Sequence, residues 1–217
     1  MTMTKTIMIE AADAVSIASL ATVAASKTAA EINPALGEIE VSLENGNLFA
    51  TATDRFMAAT YTTAASSSGP WSAGEVTTFR LTAAAAKFLA ANVKRVNKHY
   101  QTPAVEFVID QEQHQVTISH GGATFTDNWI SAKFPAVLGL IDGWQPATEA
   151  QPVKLRGEFL ARLYKLTDSF IRVDYWVVEL GANSSTYKPE RPGPLMATAG
   201  KFRVLIQPNN YNPADTM

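Results

Sequence analysis

Along this chain, short runs of alternating apolar and polar positions are broken by stretches of helical period, in a fixed order. Thr6-Ile7-Met8-Ile9-Glu10 reads as a strand, and roughly Ala12 to Lys27 as a helix. Strands follow at Glu38–Leu43 and Asn47–Ala52. The junction Glu44-Asn45-Gly46 predicts a tight hairpin, because Asn and Gly tolerate the positive φ that such a turn requires. The order then recurs. Thr77–Leu81 reads as a strand and about Thr82 to Asn97 as a helix, with strands at Ala104–Ile109, Gln115–Ser119 and Ala123–Ile130. It recurs again with a strand at Pro152–Arg156, a helix over about Glu158–Asp168, and strands at Tyr175–Leu180, Leu195–Thr198 and Phe202–Ile206.

Three β-α-β-β-β units in step are better evidence than any one of them, since Ile7, Phe79 and Val153 lie 72 and 74 residues apart. The alternative is an α+β domain of chance regularity. The units divide the chain into residues 1–75, 76–148 and 149–217. The first two make one domain over 1–148, and the third is half of another, ending in a frayed tail. Ala64–Pro70 and Gly143–Pro152 are the linkers. Lys188–Pro194 reads as a loop, because three prolines deny a ladder its donors.

The helices sort by face. At helical period Ala85, Leu89, Val93 and Val96 share one sector of about 80°, a core face. Lys87, Lys94 and Lys98 lie opposite, with Arg95 beside them. In the third unit Phe159, Leu160, Leu163 and Leu166 point inward, and Arg162 and Lys165 point out next to Glu158. The first helix has a nearly neutral outer face. Such stripes suit either a solvated helix or a surface facing phosphates without base readout. The lack of acids among Lys87, Lys94, Arg95 and Lys98 leans toward the second, because solvated faces usually mix signs.

Composition narrows the classes. The chain has 217 residues, enough for a substantial core, with 47% hydrophobic and 18% charged positions, which excludes a disordered chain. Alanine supplies 34 of the residues and suits close helix packing. A net charge of −2 argues against a protein that wraps DNA by bulk charge, though not against a local basic face. Without cysteine there are no disulfides and no thiolate chemistry. No stretch approaches the ~18 apolar residues of a membrane span. The expectation is a cytoplasmic protein with no membrane partner.

Catalytic chemistry is not apparent. His99, His114 and His120 have no partner at metal-ligand spacing and read as structural or solvated. Gly121-Gly122 reads as a turn. Asp54 ends a strand and reads as a residue that bonds turn backbone. Asp168 and Asp174 bracket a loop, too little for a catalytic pair. No phosphate loop, nucleophile elbow or dinucleotide fingerprint occurs. The expectation is a non-enzyme with no cofactor and no metal.

The repeated unit, its basic helix faces and several local segments together resemble the DNA polymerase III β sliding clamps. Ala52-Thr53-Asp54-Arg55-Phe56-Met57-Ala58 resembles the A-T-D-G-x-R-L-A segment of their middle domain, one residue short and with Arg55 at or next to the Gly. Trp129–Pro135 resembles the stretch that closes that domain in Phe-Pro. Pro194-Leu195-Met196 and Leu205-Ile206-Gln207-Pro208 resemble the end of their last domain. The resemblance runs from about Thr6 to Pro208. It implies a DNA clamp fold with antiparallel sheets outside and helices on one face. It also implies a ring that encircles duplex DNA without sequence preference and tethers a DNA polymerase. Lys87, Lys94, Arg95, Lys98, Arg162 and Lys165 would face the DNA. The polymerase and a clamp loader would each insert a short peptide into a pocket made by Leu36, Thr53, Met57, Pro135, Leu140, Leu205 and Pro208. Family rings contain twelve units, so three per chain points to a homo-tetramer. The shortened plan looks like a phage or mobile-element version. A clamp-like adaptor that never closes, and a structural virion protein, are the competing readings.

Overall fold

The first two predicted units trade strands. In a computed structural model, which describes residues 4–24, 31, 33–69, 75–93, 103–149, 153–168, 171–172, 175–182 and 192–208, β1 (Lys5–Ile9) lies in one sheet with β7 (Val105–Asp110), β8 (Gln115–His120) and β9 (Ala123–Asn128) of the second unit. In return β6 (Thr77–Leu81) of the second unit pairs with β2 (Ile39–Glu44) of the first, next to β3 (Asn47–Thr53) and β4 (Met57–Ala64). Each unit thus completes the other's sheet, and every one of these strand pairings is antiparallel.

The third unit extends the second of these sheets. Its strands β12 (Val177–Leu180), β13 (Leu195–Ala199) and β14 (Phe202–Ile206) join edge to edge through β14 and β4, with Ile206 opposite Met57 and Phe202 opposite Tyr61. The result is a seven-stranded sheet in the order β12-β13-β14-β4-β3-β2-β6, beside a five-stranded sheet in which β5 (Ser66–Ser68) precedes β1-β7-β8-β9. A small hairpin joins β10 (Thr167–Asp168) and β11 (Ile171–Arg172).

Local chemistry explains the hairpins and helices. Asn45 and Gly46 take φ of 49° and 78°, the doubly positive turn predicted between β2 and β3. Gly121 and Gly122 do the same between β8 and β9, at 57° and 84°. Helix α1 spans Ala11–Ser19 and α2 spans Ala21–Ala24. Helix α3 (Ala83–Asn92) starts at Thr82, whose hydroxyl accepts the amides of Ala84 and Ala85 at 3.1 and 3.3 Å. Its Ala85, Leu89 and Val93 are fully buried, as the period predicts, while Lys87 is exposed. Each leucine-sized side chain so buried contributes about 1.5–3 kcal/mol. Helices α1 and α3 pack on each other, and one core cluster runs through both sheets and the helices.

Several sequence expectations are corrected. Residues 153–156 form no strand, and only Lys154 takes part in an isolated bridge. The third helix, α5 (Gly157–Lys165), stops before the β10–β11 hairpin, and its Leu160 is 55% exposed rather than inward. The linker at Ala64–Pro70 contains β5 (Ser66–Ser68), which pairs with the edge of β1. Strand β4 and the short helix α4 (Val137–Asp142) have no counterpart among the elements that the periodicity predicts. His99, Val96, Asp174 and the tail from residue 209 lie outside the described residues, as does most of the proline loop.

Candidate peptide cleft at the junction of β4 and β14

The loop between β3 and β4 is built by its own side chains. Asp54 is buried, and its Oδ1 accepts the amides of Phe56 and Met57 at 2.9 and 2.8 Å. The Thr53 hydroxyl donates to the Met57 carbonyl at 2.9 Å and accepts the Arg55 amide at 3.1 Å. These bonds close the turn and hold Arg55 at φ 83°, in the left-handed region that favours glycine.

The third unit fastens this loop from two sides. Gln207, just beyond β14, donates its amide to the Phe56 carbonyl at 2.8 Å. From α5, Arg162 donates to Oδ2 of Asp54, and Arg156, just before that helix, lies over the Phe56 ring at 6.0 Å. A second apolar cluster covers the other face of β4. It joins Ala58 and Met196 to Phe134, Val137 and Ile141, so α4 lies across the sheet. Arg203 of β14 secures the end of α4 by donating to the Ile141 carbonyl and to Asp142 Oδ1, both at 2.7 Å.

The segment that leads into Pro135 is held by Arg80. This buried guanidinium donates to the Ile130 carbonyl at 2.7 Å and to the Ala132 carbonyl, and it lies 3.5 Å from Glu38 and 3.6 Å from Glu40. Glu38 in turn accepts the Ile130 amide at 3.2 Å. Burial pushes both glutamates above their ordinary range. The attraction of Arg80, and for Glu38 the Ile130 amide as well, offsets part of that rise.

Between these parts lies an open cleft of about 340 Å³, lined by residues of all three units. Its apolar surface comes from Met57, Pro135, Val137, Leu140, Pro194 and Leu205, with Thr53, Arg55, Phe56, Ala58 and Gln207 completing it. Five of the seven pocket residues expected from sequence, Thr53, Met57, Pro135, Leu140 and Leu205, meet here. Leu36, in the 3-10 turn Pro34–Gly37, is buried and does not line it, and neither does Pro208, also buried. Sequence reasoning missed Arg55, Phe56, Ala58, Val137, Pro194 and Gln207. All but Val137 stand within the segments that resemble the clamps, so a signal for them was present; Val137 lies just beyond one. Leu140 and Phe56 stand 64% and 55% exposed, large apolar groups presented to solvent at the cleft.

Of the expected DNA-facing residues, Lys87, Arg162 and Lys165 lie among the described residues. Lys87 is exposed on α3, and Lys165 is exposed at the end of α5. Arg162 is half-buried and directs its guanidinium to Asp54. Lys94, Arg95 and Lys98 lie outside the described residues. Helix α1 presents little surface, since nearly every residue in it is buried. The described histidines are part of the framework: His120 is buried in β8, and His114 packs 5.7 Å from the Trp129 ring. Among the described residues no cluster of acids and histidines could hold a metal ion, and no helix is long and apolar enough to cross a membrane.

Two antiparallel sheets, one of them running on from the first unit into the third, together with the packed helices α1 and α3, form the DNA sliding-clamp fold. Solved structures bear this out. The chain is similar to the DNA polymerase sliding clamp of Bacillus subtilis, with a TM-score of 0.58 and 15% identity over 98% of this chain and 66% of that one. It is also similar to the Helicobacter pylori β clamp bound to a DNA ligase peptide, with a TM-score of 0.64 and 12% identity over 97% and 67%. A putative DNA polymerase III β subunit from Eubacterium rectale gives 0.60 and 11% over 98% and 68%. The chain therefore spans about two thirds of the length of these clamps. No protein-family model matches the sequence, and neither does any curated protein. The likeness lies in the fold.

Proposed function

We propose that this protein is a sliding clamp, a non-enzymatic ring that encircles duplex DNA and tethers a DNA polymerase through the cleft between β4 and β14. The observation that carries this reading is the cleft itself, built where the third unit docks on the first in a chain of clamp fold. An apolar groove with a few polar groups suits a short peptide with aliphatic or aromatic anchors. The H. pylori clamp of the same fold holds a DNA ligase peptide, and peptides from a polymerase and a clamp loader are the partners proposed here.

The ring is a homo-tetramer, because four chains of three units supply twelve. Head-to-tail closure would use the strand edges left at β9 and β12. Lys87, Lys94, Arg95, Lys98 and Lys165 face the phosphates as point charges that tolerate any sequence. Arg162 contributes less, since Asp54 engages it.

Retention on DNA tests the reading. Protein assembled on nicked circular duplex should stay bound through a high-salt wash and be released when the circle is cut. Equal release from circles and linear DNA would remove the ring and leave a clamp-like adaptor.

A further inference from the structure

Arg55 stands out in the cleft for its charge and its surroundings. It lines an otherwise uncharged cleft, and its side chain is exposed. None of the other lining residues is acidic. The nearest carboxylate in sequence, Asp54, is turned inward, with one oxygen on the amides of Phe56 and Met57 and the other on Arg162. Among the described residues no ion pair reaches the Arg55 guanidinium. Its backbone sits at φ 83°, which an L side chain rarely adopts, so the chain holds a long cation where glycine would fit more easily. A second cation stands nearby: Arg156 lies over the exposed Phe56 ring and pairs with Glu158 at 3.4 Å, with both side chains more than half exposed.

A cation beside apolar surface selects its ligand by charge. A carboxylate held next to aliphatic anchors gains a charge-assisted bond there, while a second cation is repelled. We infer that the partner peptide carries an acidic side chain next to its apolar anchors, and that Arg55 is the residue that reads it. This rests on the cleft being a peptide site, and it adds a charge preference that the apolar lining does not supply.

The test uses the full chain and two fluorescein-labelled, C-terminally amidated pentapeptides, Leu-Glu-Leu-Phe-Glu and Leu-Gln-Leu-Phe-Gln, followed by fluorescence anisotropy at low and high salt. The expected result is that the glutamate peptide binds about five-fold or more tightly, in line with a partly exposed charge pair, and that the gap narrows with salt. Arg55→Gln should abolish the gap, and Arg55→Glu should reverse it. Arg55→Gly removes the charge while suiting the positive φ, so loss of the gap in that variant cannot come from misfolding. If both peptides bind alike to the native protein, or if the gap survives in Arg55→Gly, the charge reading is overturned and the cleft remains a peptide site. If neither peptide binds, the cleft reading falls as well.

Discussion

The guanidinium of Arg162 donates to Oδ2 of Asp54, a residue 108 positions earlier, while Oδ1 of the same carboxylate closes the β3–β4 loop through the Phe56 and Met57 amides. One buried acid thus shapes a wall of the cleft and binds the helix of the third unit to the β3–β4 loop of the first. Asp54→Ala leaves two loop amides and a half-buried cation without their acceptor. It should cost about 3 kcal/mol and weaken peptide binding at least ten-fold. Asp54→Asn keeps one acceptor oxygen and should cost less. Denaturant midpoints and peptide titration check both.

Arg55 carries the strain of that loop. Arg55→Gly should raise stability by about 1 kcal/mol, because the turn's φ of 83° costs glycine nothing in the folded state, though its greater freedom when unfolded takes part of this back. A thermal melt of the two proteins at neutral pH reads the difference.

Asp13 on α1 binds the third unit in a second place. Its carboxylate accepts from Tyr61 at 2.6 Å, Thr63 at 2.7 Å and Lys201 at 2.7 Å. Burial alone would raise its pKa, but the bonds from Lys201, Tyr61 and Thr63 and the charge of Lys201 outweigh this and hold it below its ordinary value of 3.8. The ionised form therefore favours the folded chain. Its contribution is in place above about pH 3.8 and is lost as pH falls through the lower folded-state value. Melting temperature should drop through that window, and less steeply in Asp13→Asn. Lys201→Met should cost about 1 kcal/mol at pH 7, a modest figure because Lys201 is partly exposed.

Glu38 and Glu40 give the opposite sign. Burial raises both above their ordinary 4.5, so the folded state takes up protons first, and their contribution improves as pH falls and is lost as pH rises through the folded-state values. Glu40→Gln mimics the protonated form. Its stability relative to the native chain should be more favourable at pH 7 than at about pH 4.5, as paired melts at the two values would show.

Charge reversal on the helices separates assembly from DNA binding. Lys87→Glu, Lys94→Glu and Lys98→Glu together should leave the solution mass unchanged while weakening retention on circular DNA. They should also reduce the salt slope of binding by about 0.9 for each phosphate no longer neutralised. Unchanged retention would mean that this helix face does not line the DNA.

Much of the fold is legible in the sequence where one face of a strand is covered and the other is not. β6 and β14 match their expected bounds, and β2, β7 and β8 alternate buried and part-exposed positions. β4 is not legible, because α4 covers one of its faces and the core the other. Met57-Ala58-Ala59-Thr60-Tyr61 is buried throughout and has no alternation to read. The polar β5 reads as a linker, since an edge strand of three serines carries no apolar signal. Five cleft residues followed from motif resemblance. The pairs Asp54–Arg162 and Asp13–Lys201 did not, since contacts across 108 and 188 residues leave no local pattern.

Closure of a twelve-unit ring by four chains is tested most directly by solution mass. Light scattering behind size exclusion at micromolar concentration should give four times the 23.4 kDa of one chain. A mass of 23.4 kDa under those conditions would contradict the ring.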